Sequence, residues 1–435
     1  MIWIWITLAC SITCFQLRNK NISWYHYIWM LLPIDMYGIS ISNVNIKPYM
    51  LFSFLILLKV LASYKNNLSV RYNVRLVITL LSIFSVLFCI DIINGSGFLS
   101  FKQHFMVIII ILCALLYVSL LKRDNDLLQI RQVIVATALG YGIVFFMAMQ
   151  MNIQGINVGG LSTSFRMSEG IILKFVDITQ GRLRGFFIDP NVVVTGFIVA
   201  IAISICSFPN EPKFSVRNQY LLTIIICATD LYYTESRAAL MTLSLTVMLS
   251  LGAFFKNQQS RKKITLYLGI ICLTVLILII LVTNINWNPV FFKSLIAQYE
   301  NRSALNDEYG RITIWKNAWQ VLMNNNSFLG IGQGRIPYYT YRDCHNTWLE
   351  WIVGNGIVVG SAIVATFISV PIIFYQKCQK IKILRNDYYS ICLGLVCGFI
   401  GIFTSLFSVS NISNSYLIFI TFLLISIRVP SFDKK

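Results

Sequence analysis

Long apolar runs, separated by short polar segments, recur from one end of the 435-residue chain to the other. Most of them approach the roughly 18 to 20 residues that an α-helix needs to cross the hydrocarbon core of a bilayer. The pattern predicts an all-α polytopic membrane protein with 12 or 13 transmembrane helices and no separate soluble domain. The predicted spans cover about residues 2–17, 22–36, 48–64, 76–93, 104–121, 133–151, 186–208, 220–233, 238–255, 264–282, 347–375, 388–407 and 412–427.

The spans suggest a division of the chain into four parts. Pro33 is expected to kink the second span. The first span lacks the basic n-region of a signal peptide and is expected to stay in the mature chain. If residues 1–17 do not cross, the count is 12. The predicted parts are N-terminal helices (1–151), central helices (152–283), a large extracytoplasmic loop (284–344) and C-terminal helices (345–435).

The composition supports the membrane class, since 57% of the residues are hydrophobic and only 12% are charged. A net charge of +18 invites a nucleic-acid partner, but Lys and Arg concentrate in short loops at every second turn of the chain. That distribution is the positive-inside pattern rather than a basic patch, so no nucleic-acid partner is expected. The predicted cytoplasmic segments are 18–20, 65–75, 122–131, 213–217, 256–263, 377–385 and the C-terminus.

With those loops inside, the polar segment 152–184, the break at Ser236-Arg237, the long loop and His345 all fall on the outer face. Arginines on that face oppose the positive-inside bias. An anionic ligand would explain them, because guanidinium groups bind phosphate through two hydrogen bonds. Contact with lipid headgroups is the alternative. The arginines concerned are Arg166, Arg182, Arg184, Arg237, Arg302 and Arg311.

The long loop contains one amphipathic segment. Ile312, Trp315, Trp319 and Leu322 recur at helical spacing, which predicts a helix on or near the membrane surface. The glycine-rich run 330–335 is expected to end it in a flexible turn. That run lacks the strand and helix that flank a nucleotide-binding glycine loop, so it is not interpreted as one.

His345 is the strongest candidate for chemistry, because histidine changes its charge near neutral pH and this one lies at the mouth of a predicted membrane helix. The alternative is that it only anchors the helix end. The other two histidines, His26 and His104, are isolated in the sequence, and no carboxylate or histidine cluster has metal-ligand spacing. No metal and no cofactor are expected.

Four segments, taken in order, resemble the O-antigen ligase and O-antigen polymerase family of polysaccharide-assembly enzymes. They are Arg184-Gly185-Phe186-Phe187-Ile188-Asp189-Pro190-Asn191, Ser236-Arg237-Ala238-Ala239, Arg311-Ile312-Thr313-Ile314-Trp315 and His345-Asn346. The resemblance covers roughly residues 180 to 365. In the family's ligases, His-Asn is followed after nine residues by Gly-x-x-Gly. Here Gly356 fits that pattern, whereas the second glycine, Gly360, comes one position late.

The resemblance implies a GT-C-like, metal-independent, inverting membrane glycosyltransferase at the outer face of the inner membrane. Its donor would be a glycan carried on undecaprenyl pyrophosphate. His345 would be the general base, and Arg184, Arg237 and Arg311 would hold the pyrophosphate.

The supporting residues each have an alternative role. Arg311 could instead anchor the amphipathic helix. Asn346 could cap the next helix or orient His345, and Asp189, followed by Asn191, could be an N-cap. Glu350 could bind sugar or lie at the interface. Glu235 could pair with an arginine or act as an alternative base.

Three functions fit these observations. The first is a surface-polysaccharide polymerase that joins undecaprenyl-linked repeat units, and the late glycine favours it mildly. The second is a ligase that transfers the finished glycan to lipid A core. The third is a flippase or other transporter, although no internal repeat is visible and the polar candidates gather at one face. Besides the lipid-linked glycan and membrane lipid, a chain-length regulator and a flippase are candidate partners.

Overall fold

The computed structural model describes residues 2–41, 44–63, 74–95, 97–121, 126–154, 156–163, 182–187, 189–234, 236–255, 311–384 and 386–427. Within these ranges the α-helices are α1 (Ile2–Leu17), α2 (Ile28–Leu31), α3 (Pro48–Ser63), α4 (Val74–Ile93), α5 (Gly97–Ser119), α6 (Asp126–Ile153), α7 (Val193–Ser207), α8 (Phe214–Tyr233), α9 (Arg237–Phe255), α10 (Arg311–Asn324), α11 (Ile336–Thr340), α12 (Thr347–Leu384), α13 (Asn386–Ser405) and α14 (Ser415–Ser426). Two short antiparallel pairs accompany them, β1 (Ile39–Ile41) with β2 (Val44–Ile46) and β3 (Ser162–Thr163) with β4 (Arg182–Leu183).

The all-α polytopic membrane class is confirmed. Among the described residues, five segments are long and apolar enough to cross a membrane, and four shorter apolar helices accompany them. The five are Gly97–Ser119, Asp126–Asn152, Val193–Asn210, Thr347–Gln379 and Tyr388–Ser408. The total of 12 or 13 spans stays a prediction, because the predicted span 264–282 lies outside the described residues.

Helix α7 is the centre of the bundle, since every residue from Val193 to Ser207 is buried. It packs against α6, α8, α9 and α13. Gly394 and Gly398 of α13 lie directly on the backbone of α7, at Ile203 and Val199, where a Cβ atom would clash. Small residues at this interface let the two backbones approach closely, as in other membrane helix pairs.

The helix ends fall into two sets. At one end, which we call the site end, Arg182 donates a hydrogen bond to the Thr234 carbonyl and Thr347 donates one to the Val409 carbonyl. The ring of Phe187 lies 6.5 Å from that of Tyr416 at the same end. Hydrogen bonds at the opposite end join Lys20 to Gln219, Ser23 to Gln129 and Asn210 to Ser390. This sorting agrees with the alternation predicted from the basic loops, whereas the side of the membrane that each end faces stays a prediction.

The second predicted span is not a continuous helix. It consists of the 3₁₀-helix Trp24–Tyr27, the four-residue α2 and an irregular segment. The predicted kink at Pro33 is wrong, because the helix has already ended at Leu31. The segment nevertheless follows α6 from Asp126, which Tyr25 contacts, to Tyr141, which donates to the Met30 carbonyl.

Several helix boundaries differ from the predicted spans, in some cases because a polar end extends beyond the apolar core. Helix α5 begins at Gly97 rather than residue 104, and α7 begins only at Val193 because a turn precedes it. Helix α12 continues to Leu384 but contains a sharp break at Gly356, where φ is 81° and ψ is 164°.

Candidate active site

His345 is an exposed side chain between two buried neighbours, Cys344 and Asn346. Its backbone has a φ of 47°, in the left-handed region that non-glycine residues rarely adopt. This conformation turns the chain sharply where the loop enters α12, so the imidazole points outward while the residues on both sides point inward.

Asn346 is the N-cap of α12. Its Oδ1 accepts hydrogen bonds from the backbone N–H groups of Trp348 and Leu349, both at 3.1 Å. Of the two roles considered for Asn346, the structure shows capping, which satisfies helix donors that otherwise lack a partner.

Cys344 is held below His345 as a neutral thiol. Its Sγ lies 3.2 Å from the carbonyl of Asn346. Burial, reinforced by the nearby carboxylates of Glu350 and Asp343, raises the pKa of Cys344 from 9.0 to about 12. This cysteine is therefore a packing residue rather than a nucleophile at neutral pH.

The predicted amphipathic helix is confirmed as α10, and it contacts the His345 segment directly. The indole Nε1 of Trp315 donates to the carbonyl oxygen of Cys344 at 2.9 Å. Arg311, one turn earlier, is the first residue of the helix and is exposed. The segment that begins at Arg311 and the His345-Asn346 segment, both part of the family resemblance, are therefore in contact.

Helix α10 has two apolar faces rather than one. Ile314, Ala318 and Leu322 pack against α11, Cys344 and the first part of α12. The predicted stripe is divided between the two faces, since Leu322 is buried whereas Ile312 is 50% and Trp319 is 42% exposed. The exposed part is available for the predicted contact with membrane lipid.

The glycine-rich run 330–335 is not the flexible turn that was predicted. The backbone N–H groups of Ile331 and Gly332 donate to the carbonyls of Val353 and Gly354, at 3.1 and 2.9 Å. These carbonyls are accessible because α12 breaks at Gly356 and no longer uses them within the helix. The run is thus fixed to the first part of α12.

Arg184 lies on a rigid turn at the site end. Its Nε donates to the Gly160 carbonyl at 2.6 Å, and its Nη1 lies 3.1 Å from the Met36 sulfur. The next residue, Gly185, has a φ of 56° and no room for a Cβ against the ring of Phe145. Among the described residues, no carboxylate pairs with this guanidinium.

The Ser236-Arg237 break lies beside the Arg184 turn. Arg182 Nε donates to the Thr234 carbonyl at 2.8 Å and so ties β4 to the turn between α8 and α9. Ser236 caps α9, with its Oγ accepting from the Ala239 N–H at 3.1 Å. Arg237 is the first residue of α9, and its side chain lies outside what the structure describes, as do Glu235, Arg166 and Arg302.

The turn between α13 and α14 connects the Arg184 and Ser236-Arg237 segments with the α10 and His345 segments. Thr347 Oγ1 donates to Val409 and accepts from the N–H of Asn411, and the same turn leads to Tyr416, whose ring faces Phe187. Helices α7, α9 and α12 all begin here. Their N-termini carry the positive ends of helix dipoles, an arrangement that favours anions.

The remaining supporting residues have local roles. Asp189 is not the N-cap of α7; its Oδ1 accepts from the backbone N–H of Asn191 at 2.7 Å in the preceding turn. Glu350 lies buried one turn below Asn346, with its Oε2 unbonded to any described residue.

Both histidines predicted to be isolated have partners. His26 Nδ1 lies 2.9 Å from the Tyr117 hydroxyl, and His26 also pairs with Asp126. His104 Nδ1 lies 2.6 Å from Asp91 Oδ2. No sequence pattern indicates these pairs, because each joins different elements. Within the described ranges, no three His, Cys, Asp or Glu side chains gather in a way that could hold a metal ion.

Comparison with known proteins bears on this face of the bundle. Residues 222–364 match the O-Antigen ligase family. The match covers about a third of the chain and includes Arg237, Arg311, His345 and Gly356. It confirms the family resemblance inferred from the sequence. No curated protein matches the chain.

The O-antigen ligase match implies a glycosyltransferase-like enzyme with an O-antigen ligase or polymerase type of function. Arg184 lies outside the matched residues, so only the structure connects it to this segment, through β4 and Thr234. Gly360, one position later than in the ligase pattern, lies inside the bend of α12, against Trp351 and Ile352.

Proposed function

We propose that the protein is a surface-polysaccharide polymerase. It transfers an undecaprenyl-pyrophosphate-linked glycan onto a sugar hydroxyl of an undecaprenyl-linked repeat unit. The observation that carries the proposal is the exposed imidazole of His345, held outward at the start of α12 within the O-antigen ligase match. In this proposal the site end faces the outside of the inner membrane.

The donor pyrophosphate binds to the arginines of the site end. Arg184 supports this role because it is a partly buried cation without a described carboxylate partner. Arg237 and Arg311 stand at the N-termini of α9 and α10, where the helix dipole adds to their charge. Together they neutralise the leaving group as the bond to the anomeric carbon breaks.

His345 is the general base. The acceptor hydroxyl attacks the anomeric carbon, its proton passes to the imidazole, and undecaprenyl pyrophosphate leaves. A single displacement inverts the configuration at that carbon. The proton then resides on His345, and the negative charge resides on the departing undecaprenyl pyrophosphate, which the arginines bind.

The first test replaces His345 by Ala in the source organism. We expect a loss of about 100-fold or more in polymer formation, since a positioned general base contributes roughly 10² to 10⁴. Gels of surface polysaccharide should show single capped repeat units. Full-length chains at a normal protein level would refute the catalytic role and favour a transporter.

The second test compares two arginines that are bonded alike. Arg184 and Arg217 each donate through Nε to a backbone carbonyl at 2.6 Å, but Arg217 lies at the opposite end of the bundle. Arg184→Lys should lose most activity, because Lys cannot make the two-point phosphate contact. Arg217→Lys should retain it. Equal losses in the two variants would contradict the pyrophosphate role.

A ligase is the second candidate, favoured by the match to the O-Antigen ligase family and by Gly356 at the ligase spacing after His345-Asn346. The two functions share the donor and differ in the acceptor. A deletion strain separates them, because a lost ligase leaves long unligated chains whereas a lost polymerase leaves single repeat units.

A further inference from the structure

A buried chain of polar side chains connects the turn between α4 and α5 with the glycine-rich run. The backbone N–H of Gln333 donates to Ser100 Oγ at 2.8 Å, and the Ser100 hydroxyl donates to Asp91 Oδ1. Asp91 Oδ2 lies 2.6 Å from His104 Nδ1. Asp91 is 7% exposed, and Ser100, His104 and Gln333 are fully buried.

The direction of these bonds fixes the imidazole of His104. Since a carboxylate oxygen accepts hydrogen bonds, we assign Nδ1–H of His104 as the donor and Asp91 Oδ2 as the acceptor. The opposite nitrogen, Nε2, has no partner among the described residues. The ring is thus held by Nδ1 and by stacking on Trp351, with ring centroids 6.2 Å apart.

A buried carboxylate is costly unless it is well bonded, and removing one partner from such a pair costs more than the pair contributes. Asp91 meets this condition through two acceptor bonds from α5. Together with the bond from the Gln333 N–H to Ser100, these two bonds require α4, α5 and the Gln333 backbone to keep one arrangement. The chain of bonds therefore fixes the relative positions of α4, α5 and the glycine-rich run.

That geometry extends to α12. Asn94 Nδ2 donates to the carbonyls of Leu329 and Gly330, at 2.9 and 3.0 Å. Gln333 Oε1 accepts from Asn355 Nδ2 at 2.8 Å. Since the run 330–335 is also paired with the backbone of Val353 and Gly354, the turn between α4 and α5 holds the segment of α12 that precedes the break.

This segment, residues 347–355, is the one whose N-terminus carries Asn346 and His345. It is separated from the rest of α12 by the break at Gly356, so continuous helical hydrogen bonding does not fix its direction. Trp351, on which His104 stacks, lies in its second turn. The position of His345 therefore depends on contacts from outside α12.

We propose that Asp91 and His104 are positioning residues for glycosyl transfer. They hold the glycine-rich run and Trp351, and through them set where His345 meets the acceptor hydroxyl. This inference rests on the proposed function, since it requires His345 to act in the reaction. Neither Asp91 nor His104 touches the substrate.

The test uses the two nitrogens of His104. Asn places its amide nitrogen where histidine has Nδ1, whereas Gln places its amide nitrogen nearer to Nε2. His104→Leu should lower kcat about 10- to 100-fold with the KM for the donor unchanged, the size expected for a misplaced catalytic group. His104→Asn should restore most of kcat, and His104→Gln should not.

The assay measures polymer formation in membranes of the deletion strain, which supply the cell's own lipid-linked repeat unit as substrate at several dilutions. His26→Leu is the matched control. His26 is also fully buried and paired with an aspartate, Asp126, but at the opposite end. It should lower thermal stability as His104→Leu does, while leaving kcat unchanged.

Two results would overturn the proposal. One is an equal effect of His104→Leu and His26→Leu on kcat, which would make both histidines merely structural. The other is rescue by Gln as good as rescue by Asn. If His345→Ala is fully active, the proposed function itself fails; if it is inactive while His104 behaves like His26, only the positioning role fails.

Discussion

His345 adopts a backbone conformation that costs roughly 1 to 2 kcal/mol for a residue with a Cβ atom. Such strain persists only where the surroundings determine it, and here the buried Cys344 and the capping Asn346 do so on either side. Glycine would fit the turn without strain. A histidine at this point therefore costs stability that glycine would not, which supports the proposed catalytic role.

This strain gives a prediction at the residue scale. His345→Gly should be more stable than wild type by about 1 kcal/mol, because the left-handed conformation costs glycine little. It should nevertheless be inactive. His345→Ala keeps the strain and should show no such gain. Thermal unfolding in detergent and the polysaccharide gel measure the two properties, and a destabilised glycine variant would contradict the strained turn.

At the scale of elements, the break in α12 is explained by backbone bonding. A continuous helix would pair the Ile357 N–H with the Val353 carbonyl. Instead, Ile357 donates to Ser327 at 2.9 Å, and Val353 accepts from Ile331 at 3.1 Å. Each backbone group exchanges one partner for another, so the break leaves these groups satisfied. It also brings the loop backbone against the helix.

Gly356→Ala tests this exchange. A Cβ at Gly356 would clash with the carbonyl of Phe328, and the φ of 81° disfavours any side chain. We expect a loss of stability of about 2 kcal/mol or more and a loss of activity. Gly252→Ala in α9 is the control, since nothing lies within contact of a Cβ there. It should be neutral or slightly stabilising. Equal behaviour of the two alanine variants would exclude the break as described.

The periodicity of apolar residues predicted where helices form better than it predicted which of their faces pack on protein. The spacing of apolar residues identified α10 correctly, but it could not distinguish the face that packs on protein, with Ile314 and Ala318, from the face that bears Trp319. Both faces are apolar, and tertiary packing decides between them. The glycine-rich run was misjudged for a related reason, because its partners become available only when α12 breaks.

At the scale of the whole molecule, the two ends of the bundle should face opposite sides of the membrane. Tyr341, 92% exposed, lies near His345, whereas Lys213 is exposed at the opposite end. In intact spheroplasts, a membrane-impermeant maleimide should label Tyr341→Cys and spare Lys213→Cys. The reverse labelling would invert the predicted topology and place the proposed site in the cytoplasm.

Hydropathy and charge alternation were sufficient for the class and for the sorting of helix ends, because both follow from the membrane as a solvent. The candidate site was predicted only in part. His345 and Arg184 were selected as candidates from residue type and position, and their roles stay predictions. The Asp91–His104 pair was not, since a helix pattern does not reveal which side chains face each other across α4 and α5.

The broken second span has a consequence for how the chain enters the membrane during synthesis. A span without a continuous helix cannot satisfy its own polar backbone in lipid, so it needs neighbouring protein. Those neighbours come late: Ser23 is bonded to Gln129, 106 residues further on, and Met30 to Tyr141. These two backbone groups have their partners only once α6 is present, so we expect the N-terminal part of the protein to be integrated as a group rather than one span at a time.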